Sequence, residues 1–137
     1  MGNICSALLK SKDEIMDLWL EQQEETLKLK VGTFLTKEQL KEDSYSFFTA
    51  LLEDLKYTNL DTISLDSYAD SVKVLKEITN DRAIRGSSPI ESFIFFFSLK
   101  NAIFKQLKEE FRDSTLMNEY FTLLVPLLEQ LSLEALD

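Results

Sequence analysis

The chain of 137 residues contains no histidine and only one cysteine. The missing imidazole removes the commonest general base, the commonest zinc and haem ligand, and the phospho-accepting group of a sensor kinase. With a single thiol besides, a zinc finger, a Ser-His-Asp triad and a Cys-His dyad are all excluded. One cysteine cannot close an internal disulfide either, which points to an intracellular, cytoplasmic compartment. Glycine (3) and proline (2) are scarce, against the dense turn punctuation of an all-β sandwich or barrel. Positive charge is in deficit, with 15 basic against 24 acidic residues and a net charge of −9. A phosphate backbone needs a basic face to neutralise it, so the balance argues against nucleic acid as a partner. No apolar run approaches the length of about 18 residues that a membrane span requires.

What remains is apolar and helical in period. Apolar residues make up 45% of the chain, enough for one core. From Asp13 to about Lys30, Ile15, Leu18, Trp19 and Leu29 share a stripe that Gln22 and Thr26 complete weakly. Ile4 to Leu9 forms a short apolar turn before it, and Ser11 is placed to cap the longer helix. Gly32 marks a stop. Thr36-Lys37-Glu38-Gln39 then fits a capping box, a hydroxyl followed three residues later by an amide. The next helix, Lys37 to about Tyr57, carries Leu40, Ser44, Phe47, Phe48, Leu51, Leu52 and Leu55 at three- and four-residue spacing. A third runs from about Leu65 to Ile84, with Leu65, Tyr68, Ala69, Val72, Leu75 and Ile78 inward. It ends at Gly86, where Arg82 and Arg85 suit the exposed carbonyls of the last turn.

Ser88-Pro89-Ile90-Glu91 opens a further helix, with Ser at the cap, Pro at the first position and Glu at the third. Its first half, Phe93 to Phe97, is apolar on every side and reads as the central element, wholly covered. Later it narrows to Leu99, Ile103, Leu107 and Phe111. Asp113-Ser114 can cap a final helix through Leu116, Tyr120, Leu123, Leu124, Leu127 and Leu131. Pro126 within it should bend the segment or divide it. These patterns predict one all-α domain over residues 1–137, of five to six helices with a long last one. Periodicity does not separate a bundle from a globin-like packing.

Two stretches add a resemblance. The opening Lys12-Asp13-Glu14-Ile15-Met16-Asp17-Leu18-Trp19, and Asp81-Arg82-Ala83-Ile84-Arg85-Gly86-Ser87-Ser88-Pro89-Ile90-Glu91, resemble the N-terminal sensory domains of RsbR-type proteins of the bacterial stressosome. The resemblance implies a globin-like, usually haem-free fold that dimerises. It implies too that the last helix, about 115–137, leads into an output domain such as a STAS module (phosphorylated on threonine by a partner kinase) or a kinase. Some relatives hold haem through histidine, which this chain lacks, so no cofactor is expected.

The remaining motifs have plainer and bolder readings. Met1-Gly2-Asn3-Ile4-Cys5-Ser6 fits N-myristoylation beside a palmitoylated Cys5, the signature of a lipid-anchored adaptor; the plainer reading of Cys5 is a buried thiol. Trp19, Phe47, Phe48, Phe93, Phe96 and Phe97 are expected as core, the alternative being a pocket for a small apolar ligand. Arg82 and Arg85 read as a solvated turn, or as an anion site beside the helix that starts at Pro89. Tyr120, Leu124, Leu127 and Leu131 have the spacing of a coiled-coil seam, with Phe121 and Leu128 beside it. They serve either burial in the chain's own core or pairing with a second copy. The expected function is that of a non-enzymatic sensory and dimerisation domain in stress signalling. A small-ligand receptor and an acylated adaptor are the rivals.

Overall fold

The computed structural model describes residues 3–30, 36–57, 65–86, 89–110, 112 and 114–135. Every element among them is helical and none is a strand, so the all-α class holds. Helix α1 (Asn3–Lys10) runs into α2 (Lys12–Lys30), followed by α3 (Lys37–Tyr57). A 3₁₀ turn (Leu65–Tyr68) leads into α4 (Ala69–Ile84), and α5 (Pro89–Glu110) comes next. The last helix has two parts, α6 (Ser114–Glu119) and α7 (Val125–Ala135), joined through Tyr120–Leu124. Helix α2 packs along α5, α3 along α4, and α7 against both α5 and α4. The core lies between α2, α3 and α5, with the last helix closing one side.

Local chemistry sets the boundaries. At the start of α3, Gln39 N–H donates to Thr36 Oγ1 at 3.1 Å, and Gln39 Oε1 accepts from Thr36 N–H at 3.3 Å. This is the reciprocal bonding expected of the capping box. Gly86 ends α4 at φ 94°, a left-handed backbone that only glycine adopts without steric cost. Ser11 departs from expectation. Its N–H reaches the Ala7 carbonyl at 3.0 Å, and its carbonyl accepts from Ile15 N–H at 2.9 Å. The α-helical ladder thus passes across the junction of α1 and α2, and the Ser11 hydroxyl donates to the Glu110 carboxylate at the far end of α5. Hydrogen bonds from Ser11, then from Gln106, hold the Glu110 carboxyl below its ordinary range.

Two helix starts are capped from a distance. Glu119 Oε1 accepts from Ile4 N–H at 2.9 Å, tying the first helix to the last. Tyr68, at the cap position of α4, makes no side-chain cap bond. Instead Asp54 of α3 accepts from Ser71 N–H at 3.0 Å and from Ser71 Oγ at 2.7 Å. The carboxylate satisfies an orphan donor and faces the positive end of the helix. Asp54→Ala is therefore expected to cost about 1–2 kcal/mol, measured as a lower midpoint in urea unfolding.

Several inward positions differ from the periodic reading. On α2 the buried polar residue is Gln23, not Gln22 or Thr26; its Nε2 donates to the buried Ser44 Oγ at 2.9 Å. Ala69 on α4 is exposed, while Ser71 is buried. The first half of α5 is not covered all round: Phe93 and Phe97 stand outside the core, and Ile94, Phe95 and Phe96 are inside it. Pro126 is the second residue of α7, just past the π turn that divides the last helix into its two parts. Residues Tyr120–Leu124 form a π turn, and Val125 N–H reaches back five residues to the Tyr120 carbonyl. Proline offers no N–H, and its ring would strike the carbonyl of Thr122 in a regular α-helix. One extra residue in the turn ahead of it moves that carbonyl aside.

Candidate functional site

Three places concentrate the chain's distinctive side chains: an aromatic cluster inside, a buried cation at its edge, and the outward face of α5. The cluster is built on Trp19, which α2 presents to α3 and α5. Its indole N–H donates to the Phe95 carbonyl at 2.9 Å. The ring lies 4.8 Å from Phe95 and 6.2 Å from Phe48, centroid to centroid. Phe47 meets Phe95 and Phe96 edge-on, each at 5.7 Å. Tilted and edge-to-face contacts match the quadrupoles of the rings. Trp19, Phe47, Phe48 and Phe96 are thus core, as expected, and they pack against one another. Phe95 is a member that the expected set left out.

Arg82 lies at the edge of this cluster. It is only 3% exposed, so the reading of a solvated last turn is corrected: Arg85 is exposed beside Asp81, but Arg82 points inward. Its Nε donates to Asp43 Oδ2 at 3.3 Å, and its guanidinium stands 5.0 Å above the Phe95 ring. The buried Glu91 adds a further negative charge nearby. Desolvation lowers the pKa of Arg82 despite Asp43; burial raises that of Asp43 despite Arg82. Among the described residues Arg82 Nη2 has no hydrogen-bond acceptor. No group of three His, Cys, Asp or Glu side chains among these residues is placed to hold a metal ion.

The outward face of α5 begins with Phe93 (61% exposed) and Phe97 (48% exposed). Their rings stack at 5.4 Å and 15°, so each covers part of the other and leaves a flat apolar surface. They correct the expectation that both belong to the core. Farther along the same face is a cleft of about 760 Å³, between α5 and the neighbouring Gln22 of α2 and Met117 of α6. Phe104 forms part of its wall, and Lys105, Lys108 and Arg112 line it as well.

The candidate signalling helix is largely internal. Of the six candidates, Tyr120, Leu124, Leu127, Leu128 and Leu131 are buried in the chain's own core, and Phe121, 56% exposed, faces outward. Tyr120 Oη donates to the Lys100 carbonyl at 2.8 Å, anchoring the wide turn to α5. Burial pushes its phenol up to about 12. Phe121 lies 5.8 Å from Phe104, beside the cleft. In the acylation motif, Gly2 lies outside the described residues. Cys5 is 4% exposed, and burial raises its thiol pKa, so an acyl donor would meet a packed, protonated sulfur. Among the described residues no helix is long and apolar enough to cross a membrane.

Comparison with protein-family models, curated proteins and solved structures finds no match to this chain.

Proposed function

We propose that the chain is a non-enzymatic sensory and dimerisation domain of a bacterial stress-signalling protein, of the kind that the RsbR-type resemblance implies. It works in the cytoplasm through other signalling modules, a STAS or kinase output among them, and not on a substrate. Two copies pair across the outward face of α5, where Phe93 and Phe97 present stacked rings to solvent. The seam of the last helix is not the pairing surface, because Tyr120, Leu124, Leu127, Leu128 and Leu131 already fill the core.

The observation that carries this reading is the π turn at Tyr120–Leu124. A π turn holds one residue more than the α-helical turn it replaces. Its loss or migration would rotate the helix beyond it by about 100° and shift it by about 1.5 Å. Such an element has two discrete arrangements, which is what transmission along a helix requires. It is joined to the pairing face through α5, because Tyr120 Oη bonds to the Lys100 carbonyl of that helix. Pairing at Phe93 and Phe97 would bias the position of α5, and with it the turn.

Sedimentation velocity at tens of micromolar tests the pairing. The wild type is expected to sediment as a dimer. The double variant Phe93→Glu with Phe97→Lys is expected to be monomeric at unchanged helical circular dichroism, since its charges are spaced to form an ion pair along the helix. A monomeric wild type throughout that range overturns dimerisation. Hydrogen exchange tests the transmission: amides of residues 120–125 should exchange faster in the monomeric variant than in the dimer. Equal rates there overturn the coupling.

A further inference from the structure

We infer that the cleft between α5, Gln22 and Met117 is a binding site for a soluble amphiphilic anion, a carboxylate head on an apolar body. The inference goes beyond the pairing proposal and does not depend on it. The cleft's volume of about 760 Å³ falls within the range of small-molecule sites, about 300–1,000 Å³. Its lining combines apolar and cationic side chains. Phe104 and Met117, both half-buried, supply an apolar wall, and the exposed Phe121 ring stands against Phe104. The cations Lys105, Lys108 and Arg112 line the same cleft.

Positive charge gathers at this cleft. The chain carries a net charge of −9, yet three of its cations face one opening, in which Glu109 is the acidic member among the described lining residues. Four other cations, Lys56, Lys76, Arg82 and Arg85, have carboxylate partners within 4.0 Å. Among the described residues no ion pair holds Lys105, Lys108 or Arg112. Lys108 instead lies 5.8 Å from the centre of the Phe104 ring, a cation–π position that leaves its N–H donors available.

Arg112 has a second distinguishing feature. It adopts φ 47°, a left-handed backbone that is strained for a non-glycine residue. Its N–H closes the end of α5 on the Leu107 carbonyl at 3.4 Å. Glycine would make that turn without strain. Arginine there places a planar fork of donors at the rim, suited to a carboxylate. The apolar body then lies on Phe104 and Met117, while Gln22 lines the cleft from α2.

Isothermal titration with octanoate, octan-1-ol and acetate tests the site. Octanoate is expected to bind saturably. Octan-1-ol, which lacks the charge, and acetate, which lacks the body, should each bind at least about tenfold more weakly. Octanoate affinity should fall as salt is raised, and the methyl signal of Met117 should shift on binding. Lys105→Glu with Lys108→Glu should weaken octanoate at least about tenfold, without a loss of helicity. The salt series on the wild type decides the charge requirement if that variant does not fold. Octan-1-ol or acetate binding as tightly as octanoate overturns the inference, as does non-saturating octanoate or indifference to salt. Co-sedimentation with phosphatidylglycerol vesicles would overturn the assignment to a soluble ligand. The protein is expected to stay in the supernatant, because its net negative charge is repelled by that surface.

Discussion

Trp19→Ala is expected to destabilise the domain by about 3–5 kcal/mol, the largest effect of any single truncation in the core. A domain of this size has about 5–15 kcal/mol in all, so the variant would be close to unfolding at ambient temperature. The cost has two sources. Removing the indole leaves a void lined by Phe47, Phe48 and Phe95, which two packed helices cannot collapse to fill. The bond from its N–H to the Phe95 carbonyl at 2.9 Å is lost as well. Trp19→Phe separates the two: it keeps an aromatic body and loses chiefly the donor, and is expected to cost about 1–2 kcal/mol. Trp19 is the only tryptophan, so both variants must be followed by far-ultraviolet circular dichroism in urea. If alanine cost no more than phenylalanine, the aromatic cluster would not be what holds α2 to α5.

The sequence contained more of this arrangement than hydrophobicity alone revealed. Spacing gave the helices, and the capping box at Thr36 gave the start of α3 to the residue. The errors came from letting residue type override register. Ser71, Leu75, Ile78 and Arg82 fall on one stripe of α4, and Arg82 is buried with the rest; its charge suggested solvent, its position did not. Gln23 belongs to the stripe of α2 with Met16 and Trp19 in the same way, whereas the spacing of α3 already placed Ser44 on its inward face. Each is buried, and Gln23 and Ser44 bond to each other. On α5 the mistake ran the other way. Asn101, Lys105 and Lys108 mark the outward stripe, and four-residue steps back from Asn101 reach Phe97 and then Phe93. Both are exposed because of where they lie. Sequence could not supply the pairing of distant parts. Nothing local indicates that Asp54 caps α4, that Glu119 caps α1, or that the cleft takes one wall from Met117 beyond the turn.

Arg82→Met is expected to cost about 3–5 kcal/mol at neutral pH, because it leaves the Asp43 carboxylate without its counter-charge in a partly buried site. The loss should depend on pH, with a definite sign. Burial already raises the pKa of Asp43, and Arg82 is the chief influence pulling it back down. Without the guanidinium, the folded-state pKa of Asp43 rises further above its unfolded value. A carboxyl of that kind stabilises the fold while protonated, below the unfolded pKa, and that contribution is lost as pH rises through the folded pKa. The difference between wild type and variant should therefore narrow on acidification from pH 7 toward the carboxylate range, and widen again on return. Urea midpoints measured across that range check the direction; a constant difference would mean that Arg82 acts only by filling space over Phe95. Arg82→Met combined with Asp43→Leu removes both charges, so its cost should be well below that of Arg82→Met alone, with little dependence on pH from this pair. Such a result would identify the ion pair as a device that fixes where α4 sits against α3 and α5, rather than one that adds net stability.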